Sequence, residues 1–167
     1  MSVQSFNAFT AVLALLSLGA SIAILASRSV REAVRERAVW GAGLVALVAT
    51  LGSLTYSEYF LFEPCRLCWF QRIAMYPLVL ILGVGAWKRD RNVGWYSLPL
   101  AVAGLLVSIY HYVIQTFPDL EGSECVLGVS CNAKYVNEFG FVSIPFMAGC
   151  GFLLIIALVG FSRKESE

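Results

Sequence analysis

The chain has 167 residues, of which 59% are hydrophobic and 14% charged, and its mean hydropathy is +0.75. Soluble domains run nearer to about 45–50% apolar and about 25% charged, so this composition excludes an ordinary soluble domain and predicts a compact integral membrane protein. The net charge is +1, without a basic block or tail, so nothing points to nucleic acid; the chain also shows no glycine-rich phosphate loop, His-rich cluster, Ser/His/Asp arrangement or internal repeat.

Residues 8–27 form the first apolar stretch. A cleaved signal peptide would carry a basic n-region and an apolar run of roughly 7–15 residues; this stretch lacks the first and exceeds the second. Arg28, Arg31, Arg35 and Arg37 follow it, and positive residues stay in the cytoplasm, so the reading is a retained helix with its N-terminus outside. Trp40 opens a second span that runs to Phe62. Gly41, Gly43, Gly52 and Ser53 permit a close neighbour, while Tyr56, Tyr59, Phe60 and Phe62 crowd its far end as an aromatic belt beside Glu58 and Glu63.

The third span, Arg66 to Trp87, is joined to the second by a tight turn, and Pro77 within it predicts a kink. Lys88, Arg89 and Arg91 mark the return to the cytoplasm. The fourth span, Trp95 to Thr116, carries the only histidine, His111, between Tyr110 and Tyr112 near its outer end. A polar, mainly acidic loop over 117–139 holds Cys125 and Cys131. Within it, residues 132–139 are expected to form a short amphipathic helix on the membrane, with Tyr135, Val136 and Phe139 facing down. The fifth span runs from Gly140 to Phe161, and Arg163 and Lys164 close the chain inside. Nine of the twelve Lys and Arg residues thus fall in the predicted cytoplasmic segments; Arg66, Arg72 and Lys134 are the exceptions. The expected fold class is an all-α membrane protein of five spans.

The chemistry concentrates in Glu63-Pro64-Cys65-Arg66-Leu67-Cys68-Trp69-Phe70-Gln71-Arg72. Pro64 suits a helix entry, which places Cys65 and Cys68 in a first turn whose unpaired N–H groups favour a thiolate. Arg72 follows Cys68 by one turn, about 6 Å deeper, and an arginine at membrane depth faces a pocket or partner. On the motif alone, a redox dithiol, a zinc half-site and a structural disulfide all remain open. Two cysteine pairs on the outer side favour disulfide chemistry over metal binding, and the Cys-x5-Cys spacing of Cys125 and Cys131 is off the usual zinc pattern. Cys150, inside an apolar span, reads as an inert small hydrophobe.

These residues carry a resemblance. Gly52-Ser53, Ser57-Glu58, Pro64 to Ile73 and Met75-Tyr76-Pro77-Leu78 resemble the disulfide bond formation protein B family (DsbB), especially its short Gram-positive type (BdbC). Ser108-Ile109-Tyr110-His111-Tyr112, then Cys125, Cys131, Tyr135, Phe139-Gly140-Phe141 and Ile144-Pro145-Phe146, are similar to its second loop and last helix. The similarity spans roughly residues 40–160. It implies a four-helix transmembrane bundle over 39–167, to which residues 1–38 add an N-terminal transmembrane helix and a basic cytoplasmic loop. Gln71 departs from the glutamate common in proteobacterial members, and the second loop is shorter than theirs.

The resemblance also implies an activity: a thiol:quinone oxidoreductase of the bacterial cytoplasmic membrane. It would reoxidise an extracytoplasmic thioredoxin-fold thiol oxidase (DsbA/BdbD-like), with Cys125–Cys131 attacked first, Cys65–Cys68 next, and a quinone (ubiquinone or menaquinone) as acceptor. Arg72, His111, Trp69 and Gln71 are the expected cofactor-side residues, with Phe70 and Tyr110 as further candidate walls. Arginine suits anionic ring oxygens because it does not deprotonate, and histidine suits proton delivery. No metal is expected. The rival readings are a vitamin K epoxide reductase-like enzyme, a scaffold with static disulfides, and a metal-binding module.

Overall fold

The computed structural model describes residues 2–118 and 130–162. The helices are α1 (Val3–Ala26), α2 (Arg28–Val34), α3 (Ala38–Leu54), α4 (Arg66–Lys88), α5 (Val93–Thr116) and α6 (Ile144–Ser162). A short 3-10 turn, Arg35–Arg37, links α2 to α3, and a π turn, Thr55–Tyr59, extends α3. Five helices are long and apolar enough to cross a membrane: Val3–Ala26, the run Arg28–Tyr59, Arg66–Lys88, Val93–Thr116 and Ile144–Ser162. The all-α, five-span expectation therefore holds, and no strand occurs among the described residues.

Local chemistry places the ends. Ser2 caps α1 by accepting from the Ser5 N–H. Ser27 ends α1 and caps α2, its Oγ accepting from Val30. Arg31 folds back to donate to the carbonyls of Ile24 and Leu25, so a cation closes the negative end of α1. Between α4 and α5, Arg89 takes a left-handed φ of 51°, and Asp90 accepts from the Asn92 N–H and the Tyr96 hydroxyl.

α6 is the packing centre, with α1, α3 and α5 against it, while α4 bridges α3 and α5. Lipid tails are as apolar as leucine, so close packing rather than apolar burial holds such helices together. At the tightest crossing the Phe152 ring lies over Gly104, where an added Cβ would come within 2.2 Å of the ring. Leu78, Leu82, Phe152 and Ile155 fill the interior.

The amphipathic helix expected over 132–139 does not form. Glu138 and Val142 exchange backbone hydrogen bonds of 3.0 and 2.9 Å, and Phe139 and Gly140 between them take φ of 54° and 79°. That left-handed turn is incompatible with a continuing helix. The segment is also anchored from α5: His111 and Gln115 donate to the carbonyls of Cys131 and Ala133, which a helix would need for itself. Val136 is buried beside Phe6 and Tyr56, whereas Phe139 is exposed.

Candidate functional site

α4 begins at Arg66, the expected start of the third span, so Pro64 precedes the helix rather than opening it. Cys65 is its N-cap, in extended conformation, and its carbonyl accepts the first helical hydrogen bond from Trp69. Cys68 is the third helical residue, so one turn brings the two Sγ atoms to 3.3 Å. Both are free thiols. A disulfide needs about 2.05 Å between sulfurs, a distance that small side-chain rotations reach from here. The Cys65 thiol is held well below the ordinary thiol range. The Cys68 thiol donating to it is the main cause, and His111 adds to it; together they outweigh burial.

His111 on α5 is 1% exposed. Its Nε2 lies 3.0 Å from the Cys131 carbonyl oxygen and 3.6 Å from Cys65 Sγ. A carbonyl only accepts, so Nε2 carries the hydrogen. Nδ1 is then the acceptor for the Gln71 side-chain amide, 3.5 Å away. An ionised glutamate at position 71 could only accept and would demand a hydrogen on Nδ1, whereas the glutamine amide can donate there. Gln115, one turn on, ties down Ala133, and Tyr112 donates to the Phe141 carbonyl. Three α5 side chains thereby fasten residues 131–141 over the cysteine pair.

Arg72 lies one turn below Cys68. It donates from Nε to Ser53 Oγ (3.0 Å) and from Nη2 to the Ser53 carbonyl (3.1 Å), while the Tyr76 hydroxyl donates to the same Oγ (3.3 Å). Nη1 of Arg72 takes no hydrogen bond among the described residues. A cavity of about 200 Å³ connects these groups, with Cys65, Cys68, Gln71, Arg72 and His111 in its wall and Phe152 at its back.

Trp69 is not in that wall. It is 53% exposed, with its ring 5.4 Å from the Arg72 guanidinium carbon. Phe70 and Tyr110 also face outward. Cys131 is disulfide-bonded and buried with Cys65, Leu67 and Ile114; Cys125 lies outside the described residues. Cys65, Cys68 and His111 also present ligand atoms within 4.8 Å of one another, close enough to share a metal ion.

Four polar residues of this region were not among the expected set. Ser53 orients Arg72, Tyr76 supports Ser53, Gln115 holds the loop, and Thr10 of α1 lines the cavity. Two had a signal in the chain: Tyr76 and Gln115 each follow an expected site residue by four positions, on the same helix face. Ser53 read as a small packing residue and as part of the family resemblance, with nothing to pair it with Arg72, and Thr10 carried no signal.

The family model for disulfide bond formation protein DsbB matches residues 36–162. A "Probable disulfide formation protein C 2" of Bacillus anthracis is 48% identical over 134 residues, 80% of this chain and 96% of the relative. The "Disulfide bond formation protein C" of Bacillus subtilis is 50% identical over 130 residues, 77% of this chain and 94% of the relative. A "Probable disulfide formation protein C" of Halalkalibacterium halodurans is 51% identical over 121 residues, 72% and 88% of the two chains. No solved structure matches the chain.

Proposed function

The chain belongs to the disulfide bond formation protein DsbB family, and from that premise we propose that it is a membrane thiol:quinone oxidoreductase that keeps an extracytoplasmic thioredoxin-fold thiol oxidase oxidised. The carrying observation is that the free Cys65–Cys68 pair and the Arg72 guanidinium open into one cavity. A static scaffold has no use for two free thiols 3.3 Å apart beside a histidine.

The residues fit a quinone. An apolar cavity of roughly 150 Å³ accepts a benzene ring, and this one is about 200 Å³. Arg72 Nη1 offers donors that are uncommitted among the described residues, one turn below Cys68. Gln115, 6% exposed, lines the cavity with an Oε1 that has no partner among the described residues. Arg72 would hold a ring oxygen, while His111, whose Nε2–H is committed to the Cys131 carbonyl, would face the ring from the cavity wall. Bound quinone, whether ubiquinone or menaquinone, supplies a sink for two electrons and two protons.

The protein's own part is thiol–disulfide exchange. The partner's two thiols reduce the Cys125–Cys131 disulfide to two thiols and leave as a disulfide. Cys125 and Cys131 thiolates then reduce a Cys65–Cys68 disulfide and become a disulfide again. While Cys68 is held in the mixed disulfide it has no S–H to donate, so a leaving Cys65 thiolate would be stabilised by His111. Cys68 is the thiol nearer Arg72 and the membrane interior. The arginine-rich end faces the cytoplasm of a bacterial cell, and the N-terminus and cysteine end face outside.

The test is a reconstituted assay with purified protein, a reduced thioredoxin-fold donor and a quinone followed by absorbance. Donor oxidation stoichiometric with quinone loss is expected. Cys68→Ser is expected to stop quinone loss and trap a donor mixed disulfide at Cys125. Full turnover by Cys68→Ser, or donor oxidation without quinone loss, overturns the proposal.

A further inference from the structure

We propose that α1 is a wall of the quinone site, framing with α3 a lateral slot that receives the quinone's isoprenoid tail and makes the site selective for tailed quinones. The inference rests on the thiol:quinone reading and extends it to residues that reading does not use.

α1 lies wholly outside residues 36–162, the part shared with the family. It is nevertheless built into the bundle, packing along α6 and burying Phe6, Asn7, Ala11, Ala14, Ser21 and Ile24. Thr10, Ala14 and Ser17, at helical spacing, line the same cavity as Cys68 and Arg72. Across from them, Ala49, Gly52 and Ser53 of α3 line it too.

Small residues on facing membrane helices ordinarily mean that the backbones touch. Here they do not: α1 and α3 both pack on α6 but scarcely on each other. A Cβ added at Gly52 would meet nothing within 4 Å. The lining from these two helices is mostly small side chains, with Leu13 and Val48 the exceptions, and it leaves a gap. At the cysteine end the gap is shut, since Thr10 Oγ1 and the Tyr56 hydroxyl lie 2.7 Å apart and Phe6 packs edge-on against Tyr56. A gap between two helices that are long and apolar enough to cross a membrane leads sideways into lipid, the route an isoprenoid chain needs and a water-soluble ligand does not. The buried Gln115 Oε1, without a partner among the described residues, is a separate sign that the cavity takes a ligand with a hydrogen-bond donor, such as the hydroxyl of a reduced quinone.

The test measures binding to the purified full chain by quenching of tryptophan fluorescence. One probe is a short-chain menaquinone and the other is dimethylnaphthoquinone, which has no tail. Ser17→Leu and Gly52→Leu, made separately, grow side chains into the slot from opposite sides. Each is expected to weaken the tailed probe about tenfold and to leave the tailless probe within about twofold. Gly19→Leu, on α1 with open space around it and outside the cavity, is expected to change neither. Unchanged affinity for the tailed probe in both slot variants overturns the role of α1 while leaving the quinone reading intact. Equal losses for both probes also overturn the slot. Failure of both probes to bind the unmodified chain overturns the quinone reading and the slot together.

Discussion

The imidazole of His111 donates from Nε2 to the main-chain carbonyl of Cys131, 3.0 Å away. The same nitrogen is 3.6 Å from Cys65 Sγ, so one buried ring joins the two cysteine-bearing segments. His111→Ala leaves that carbonyl unpaired, a loss of about 1–3 kcal/mol. The thermal midpoint is expected to fall, and disulfide transfer between the two cysteine pairs, followed by quenched-flow alkylation, is expected to slow at least about tenfold. Transfer at the original rate would remove His111 from the relay.

The low-held Cys65 thiol gives a pH signature. In the reduced protein, Cys65 alkylation is expected to stay nearly flat between roughly pH 6 and 8, where an ordinary thiol gains almost tenfold per unit. Cys68→Ala removes the principal donor and is expected to restore the steep rise, whereas Cys68→Ser retains a hydroxyl donor and is expected to stay flatter. The linkage has a definite sign. The folded-state value lies below the unfolded one, so the stabilisation is complete above the unfolded thiol's value. It is lost as pH falls through the folded value.

Arg72 is expected to act on quinone affinity rather than on thiol exchange. Arg72→Met is expected to raise the KM for quinone about 10- to 100-fold, the range for losing a hydrogen bond from a charged donor, with little change in donor oxidation when quinone is saturating. Ser53→Ala removes the Oγ point of the two-point tether and keeps the carbonyl point, and is expected to have a smaller effect in the same direction. Steady-state kinetics with varied quinone separates the two.

Phe152 backs the cavity and rests on Gly104. In Gly104→Ala the added methyl has no room, and the ring must move toward the cavity or the helices apart. A destabilisation of about 1–3 kcal/mol is expected, together with weaker quinone binding. Thermal melts read the first effect and fluorescence titration the second.

Zinc is expected to inhibit the reduced protein. Two thiolates and an imidazole around zinc place their ligand atoms less than about 4 Å apart, and the three here already lie within 4.8 Å. Zinc is expected to protect Cys65 and Cys68 from alkylation, more strongly as pH rises because the thiols must lose protons, and a chelator is expected to reverse it. The Cys65–Cys68 disulfide form is expected to be insensitive.

The span count and the cysteine pair at a helix entry were legible in the chain, because apolar run length and cysteine spacing are local properties. The 132–139 segment was misread because its pattern is amphipathic, while the decisive interactions come from His111 and Gln115, at least 18 positions away. Ser53 beneath Arg72 was hidden for a similar reason: its partner is 19 positions away on another helix.

By itself, then, the sequence determined five membrane-crossing helices, the family, and which cysteines stand at a helix entry or in a loop. Only the tertiary structure decided that α1 lines the cavity, that Trp69 does not, and that His111 touches both cysteine segments. The physical reason is that helices apolar on every side carry no stripe to mark an inward face. Their rotation, and hence which side chains meet, is set by packing against neighbours.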